Sequence, residues 1–269
     1  MFYLCGLINT IGMVTGREIK KSKINRLIQS APRGLVLLSS WLVSEGYPYE
    51  LQQRYRTTGW LKSIGRGAMI KSGDSLALSG AITALQKQEN LNIHIGGRSA
   101  LELLGLAHYL QIYSAEITLF VENKSSLPLW FINNQWDWKT RIYSLSLFKD
   151  SQSGLTDYQD GELSMKISNA AGAMMECLSL CPHQFPLTEA YELMEGLATL
   201  RPAQIQMLLE QCKSVKVKRL FLYFAERIGH KWFNYIDAGA IDLGSGIRSL
   251  FHEGAFVAKY QLTLPKELA

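Results

Sequence analysis

Between Lys23 and Lys71 the chain packs three helical patterns and a hairpin into about fifty residues, and few folds accommodate that order. Lys23–Gln29 (KINRLIQ) places Ile24, Leu27 and Ile28 on one helical face. Ala31-Pro32-Arg33-Gly34 breaks the pattern. Leu35-Val36-Leu37-Leu38 is a short extended apolar run, after which Ser39 or Ser40 is expected to cap a second helix through Trp41, Leu42 and Val43. Glu45-Gly46 closes that helix. Pro48 suits the first turn of a third, Tyr49 to Thr57, where its missing N–H costs nothing, and Gly59 ends it. Trp60–Ile64 and Ala68–Lys71 then read as two strands, joined by Gly65-Arg66-Gly67, whose glycines are free to take positive φ. Helix, helix, helix, hairpin is the order of a winged helix-turn-helix, expected over residues 23–72.

Charge is distributed in keeping with that order. Residues 1–72 carry 11 Lys/Arg and 3 Asp/Glu, a net +8, whereas residues 73–269 carry 17 and 20, a net −3. A cationic head on a slightly acidic body is the electrostatic footprint of a nucleic-acid module. The third helix is expected to enter the major groove of duplex DNA. There Gln52 and Gln53 are of the type that reads base edges, and Arg54 and Arg56 of the type that holds phosphates. Tyr49 and Tyr55 offer hydroxyls for phosphate, with Leu51 and one of the two tyrosines expected to face the core. The hairpin adds Lys62, Arg66 and Lys71.

The remainder alternates helical and extended patterns. Asp74–Gln88 is amphipathic and is expected to connect the head to a second domain, with residues 73–89 as the connector. Strands are expected at 91–95, 116–121, 141–148, 162–167 and 255–264, and helices at 99–106, 170–180, 187–197, 202–212 and 215–228, the last capped by Ser214. Residues 127–133 form a short helix or loop. The expected fold class is α+β: a winged helix-turn-helix followed by a larger mixed domain over 90–269. Met1 to Gly16 contain no charged side chain, are too short and interrupted to span a bilayer, and precede rather than follow Arg17, Lys20 and Lys21, unlike a signal peptide. Residues 1–22 are therefore expected to be a disordered extension, with Met13 a candidate start.

Enzymatic chemistry finds little support. The four cysteines are sparse, as in a reducing cytosol, and Cys177 and Cys181 with His183 lack an evident fourth zinc ligand. His94 before Gly96-Gly97 reads as a structural strand-end histidine. Ile241-Asp242-Leu243-Gly244-Ser245-Gly246 resembles a phosphate-cradling turn but lacks the glycine spacing and lysine of a P-loop. A nucleotidyltransferase would place paired carboxylates after Gly-Ser; here Gly246-Ile247-Arg248-Ser249 follows. Asp237 and Asp242 read as loop residues. No catalytic set, metal site or cofactor is expected. The alternative, a nucleotide-dependent enzyme acting on a partner protein or RNA, rests on the Asp242–Arg248 loop alone. A second basic stretch, Lys213, Lys216, Lys218 and Arg219, is expected to be partly a solvated helix face and a candidate surface for RNA or for a partner's nucleic-acid substrate.

Six stretches carry a family resemblance: INRLIQSAPRGLVLLSSWL (24–42), GWLKSIGRGA (59–68), IHIGGRSALELLG (93–105), YELMEGLATLRP (191–202), KSVKVKRLFLYFAERIGHKWF (213–233) and IDLGSGIRSL (241–250). In that order they resemble the AbiEi-type antitoxins of bacterial type IV toxin–antitoxin, or abortive infection, systems. The resemblance implies a cytoplasmic autorepressor that binds promoter repeats through its winged helix-turn-helix. It also implies a C-terminal domain that counteracts a nucleotidyltransferase-like toxin without forming a stable complex with it. The chain departs from the family pattern at Tyr47, where a capping serine is usual, and at Ser168–Ala173, which lacks the charges of the usual Ser-Pro-Glu-Arg-Ala.

Overall fold

A computed structural model describes residues 23–107, 116–251 and 254–269. The expected extension, residues 1–22, lies outside the described residues. The chain divides into two compact units, residues 1–31 and residues 32–269. In the first, α1 (Lys23–Ser30) closes with the Ala31 N–H on the Leu27 carbonyl.

The second unit opens with β1 (Leu37–Leu38), α2 (Ser39–Ser44), α3 (Tyr49–Thr57), β2 (Leu61–Gly65) and β3 (Ala68–Lys71). The strands form an antiparallel sheet of order β1-β3-β2, in which Leu37 faces Met69 and Lys62 faces Ile70. Ser39 does not cap α2 with its side chain. The helix begins after Leu38, whose apolar side chain cannot cap it, and the hydroxyl of Ser39, already in the first turn, is bonded to Gln52.

The apolar face of this sheet rests on α4 (Leu78–Gln88). Val36, Leu38, Ala68 and Ile70 join Leu78, Ile82 and Leu85 of α4 in one buried cluster. That cluster continues into Ile93, Ile95, Leu119, Val121, Met165 and Ile167 of a five-stranded sheet, so this face of the head shares its core with the body, while Leu37, Leu42, Tyr55, Leu61 and Met69 are buried within the head apart from that cluster. Gly80 is what allows the approach, since a Cβ there would collide with the backbone carbonyl of Gly34. Gln88 completes the joint from α4: its carboxamide accepts from Leu38 N–H at 2.8 Å and donates to Val36 C=O at 2.7 Å. It thereby occupies the edge of β1 as a neighbouring strand would.

The large sheet has the order β6-β5-β4-β8-β7, formed by β4 (Ile93–Ile95), β5 (Glu116–Val121), β6 (Lys139–Ser144), β7 (Leu155–Asp160) and β8 (Leu163–Ser168). β4 pairs antiparallel with β5 and parallel with β8, β5 parallel with β6, and β7 antiparallel with β8. α6 (Leu129–Asn133) joins the α4 side through Trp130 and Phe131. The other face carries α5 (Gly97–Leu103) and α7 (Ala170–Leu180). α8 (Leu187–Glu195), α9 (Pro202–Gln211) and α10 (Val215–Ile228) pack around α7. A small sheet of order β10-β11-β9, from β9 (Arg248–Ser249), β10 (Ala255–Val257) and β11 (Leu262–Leu264), closes the chain.

The α+β class agrees with the sequence, and Ser214 does cap α10 by accepting from Val217 N–H. Several elements differ: the strand expected at 141–148 runs over Lys139–Ser144, and β9 was not expected. The helix expected from Asp74 begins at Leu78, because Asp74 is spent on the Gly34 N–H at 2.9 Å. The closing strand 255–264 is two strands folded on each other. β7 was not expected: its residues, LTDYQD, leave an edge strand with no fully buried side chain, so the apolar alternation is weak. The available signal was Asp160-Gly161 at the hairpin turn. Among the described residues no helix is long and apolar enough to cross a membrane.

Candidate nucleic-acid interface

α3 is set in place by one glutamine. Gln52, which the sequence suggested as a base reader, is 1% exposed. Its carboxamide accepts from the Ser39 hydroxyl at 2.5 Å and donates to the carbonyls of Ser39 at 3.0 Å and Tyr47 at 2.7 Å. It therefore cannot reach a base. It bolts α3 to the start of α2 and to the turn between them, which fixes the angle of the helix pair. Tyr55 is also corrected: it lies in the core, where burial raises its phenol pKa, so it offers no hydroxyl to a phosphate. Leu51 is half-buried beside it.

The opposite face of α3 is open. Tyr49 is 62% exposed, and Gln53, Arg54 and Arg56 are exposed with it. The Thr57 and Thr58 hydroxyls fold back onto the carbonyl of Arg54 at 3.0 and 2.7 Å, satisfying the end of the helix. On the hairpin, Lys62 and Arg66 are exposed. Among the described residues no carboxylate pairs with Arg54, Arg56, Lys62 or Arg66, and the one polar contact of this set is Arg56 Nη1 to Met69 Sδ at 3.8 Å. Lys71 does not belong with them. It is buried, with its ammonium 3.8 Å from Asp74, because β3 is the central strand and both its faces are covered.

Two features were not legible in the sequence. Trp60, 47% exposed, stands between α3 and the hairpin. The hairpin is also braced from the body: a Cβ at Gly65 would lie 2.7 Å from Trp130 Cβ, and Asn134 donates to Ile64 C=O at 2.9 Å. Gly65 thus serves close approach to α6. Its neighbours Arg66-Gly67 pointed only to a turn.

The second basic stretch is a correction. Lys213 is exposed and donates to Ser146 Oγ at 2.8 Å. Lys216 turns its ammonium onto the carbonyls of Ser179 and Cys181 at 2.7 and 2.6 Å, and its partial burial lowers its pKa. Lys218 and Arg219 are buried. Lys218 donates to Asp242 C=O at 2.7 Å. Arg219 donates to the carbonyls of Leu243, Gly246 and Gly244 at 2.9, 2.7 and 3.1 Å. α10 is buried all round from Val217 to Ala225, so its cations must find partners inside. The loop 242–246 supplies them. A phosphate-binding turn would aim N–H groups at its ligand; this one aims carbonyls at a guanidinium, which is the opposite polarity.

Other polar groups are similarly satisfied. His94 Nε2 is 2.8 Å from the buried Glu176 carboxylate, which also accepts from Gly97 N–H at 2.8 Å and Ser168 Oγ at 2.7 Å. Ser168 bonds the carboxylate and not the imidazole, so His94, Gly97 and Ser168 share one buried acceptor. Asp237 and Asp242 each accept from the N–H two residues on. Cys177 and Cys181 are buried, and desolvation pushes the Cys181 thiol up to about 12 and the Cys177 thiol well above its usual value, while His183 is exposed. Among the described residues no group of three or more His, Cys, Asp and Glu side chains is placed to hold a metal ion.

Comparison with known proteins bears on both halves of the chain. Residues 20–112 match a family described as the transcriptional regulator AbiEi antitoxin N-terminal domain, and residues 114–265 match one described as transcriptional regulator, AbiEi antitoxin, type IV TA system. No curated protein matches the chain. Among solved structures, the crystal structure of the RV2827C protein from Mycobacterium tuberculosis is similar, with a TM-score of 0.53 at 13% identity over 89% of this chain and 88% of that one. At that identity the likeness concerns the fold alone.

Proposed function

The chain belongs to the AbiEi family of antitoxins and transcriptional regulators of type IV toxin–antitoxin systems, and from that premise we propose that it represses its own operon by binding promoter repeats through α3 and the β2–β3 wing. The observation that carries this reading is the set of four exposed cations, Arg54, Arg56, Lys62 and Arg66, with no carboxylate partner among the described residues, on a helix and wing braced from behind by Gln52 and Trp130. Each arginine or lysine that neutralises a phosphate releases a counterion, so binding falls with salt. Gln53, exposed on α3, is the remaining candidate for base readout through adenine, and Tyr49 for a phosphate contact. Lys71 and Gln52 act from the interior.

The family also supports an antitoxin role. The toxin it opposes is a nucleotidyltransferase-like protein, opposed without a stable complex. The face of α10 is not the means, since Lys216, Lys218 and Arg219 are spent on carbonyls. Binding of the full chain to duplex from its own upstream region, measured by fluorescence anisotropy across a salt series, tests the first half. An affinity no better than for unrelated duplex refutes it. Co-expression with the neighbouring reading frame tests the second half: failure to restore growth to cells producing that toxin refutes it.

A further inference from the structure

β4 and β8 run parallel but meet at a single register, Ile95 opposite Ile167. Before that point they splay apart. Gln86 of α4 fills the gap: its Nε2 donates to Ile93 C=O at 2.7 Å and Lys166 C=O at 2.8 Å, and its Oε1 accepts from Lys166 N–H at 2.8 Å. One side-chain amide thus replaces one rung of the sheet.

The next rung along β8 is Ser164. The β7–β8 hairpin closes over Gly161-Glu162, with Asp160 opposite Leu163. Residues along an antiparallel strand alternately bond to the partner strand and point away from it. Lys166 directs its N–H and C=O to Gln86, away from β7. Ser164, two residues earlier, therefore directs its N–H and C=O the same way. No strand continues β4 there, because the chain turns at Asn90, which takes φ 54°. Ser164 opens instead onto a cleft of about 360 Å³ whose walls include Asn90, Asn92, Gln152 and Met165. That volume lies within the range of small-ligand sites.

We propose that this cleft receives a short extended peptide segment of a partner protein, added to β8 as a strand and docked on the backbone of Ser164. A donor and an acceptor at strand spacing match a peptide backbone, and a partly occupied sheet edge is a template for such pairing. Charge at the rim narrows the occupant. Of the charged residues lining the cleft, Lys166 is paired with Asp157 at 3.7 Å and Lys87 is exposed, which leaves a net single positive charge, so the rim favours a peptide carrying an acidic side chain. The site is on the body and does not depend on DNA binding by the head.

The test uses the full chain as it stands. A library of random linear heptapeptides displayed on phage is panned against it, and an enriched peptide is synthesised with each backbone nitrogen methylated in turn. Acidic peptides are expected to be enriched. Methylation at alternate residues is expected to weaken binding about ten-fold or more, with the intervening residues tolerant, since only every second N–H faces β8. The Ser164 amide resonance should shift on binding, and Ser164→Pro, which removes an N–H not used by the β7–β8 ladder, should abolish it. Absence of enrichment, equal tolerance of methylation along the peptide, or an unmoved Ser164 resonance overturns the proposal. The methylation series is read on the unmodified chain, so it decides the matter even if Ser164→Pro does not fold. Promoter DNA that fails to bind leaves this result untouched.

Discussion

Two helices of this chain carry clustered cations, and the fold uses them in opposite ways. In the head, Arg54 and Arg56 project from α3 into solvent, joined by Lys62 and Arg66 on the wing, with no carboxylate among the described residues opposite them. In the body, Lys216, Lys218 and Arg219 on α10 turn onto backbone carbonyls, and two of the three are buried. The composition of the two stretches is alike; their neighbours are not. α3 has one face against β2 and the other free, whereas α10 is enclosed by α7, α8 and the loop 242–246. A basic stretch is therefore free to meet a partner only where one side of its helix is left uncovered. Where the helix is enclosed, the same residues hold the interior together.

Substitutions separate the two roles, and the largest effect is expected inside. Arg219→Ala strands the carbonyls of Leu243, Gly244 and Gly246, so stability to urea should fall by ~3 kcal/mol or more, with the DNA affinity of the folded protein unchanged. A stable Arg219→Ala protein with weakened DNA binding would invert the comparison. Next comes Gln52→Ala, which removes the three hydrogen bonds of a buried carboxamide to Ser39 and Tyr47. It should cost about 1–3 kcal/mol by chemical denaturation and also weaken DNA binding, because α3 loses its anchor. Unaltered stability there would mean that Gln52 is not the bolt described above.

The outward cations should show the reverse signature. Arg54→Ala with Arg66→Ala should leave stability within about 0.5 kcal/mol, since neither side chain has an ion-pair partner among the described residues. Operator affinity should fall, and the slope of log K against log salt should shrink by about two. An unchanged slope in the anisotropy titration removes these residues from the interface. The smallest effect belongs to Gln53→Ala. Its total affinity should change little, while discrimination against a single substituted adenine in the operator should fall by about ten-fold. Equal discrimination by the two proteins would assign base reading elsewhere on α3.

Much of the fold could be read along the chain. Helical spacing placed α3 at Tyr49–Thr57 and α10 at Val215–Ile228, and glycine and proline marked the turns of the head. β7 escaped because an edge strand need not alternate, and the split of residues 255–264 into β10 and β11 escaped because a tight return leaves the apolar pattern unbroken. Of the candidate site residues, Tyr49, Gln53, Arg54, Arg56, Lys62 and Arg66 are outward, while Gln52, Tyr55 and Lys71 are not. Gln52 and Gln53 are adjacent and chemically identical. Only the 100° turn between successive helical residues, together with the position of α2, sends one inward and the other to solvent.

Local pattern and composition thus determined the order of helices and strands, the cationic head on an acidic body, and the kinship with the AbiEi family. Tertiary structure alone decided which way each polar side chain points. Propensity and periodicity act over a few neighbouring residues, whereas burial is set by whatever segment arrives from elsewhere. The Ser39 and Tyr47 groups that hold Gln52 and the loop carbonyls that hold Arg219, 24 to 27 residues further along, become neighbours only once the chain has folded.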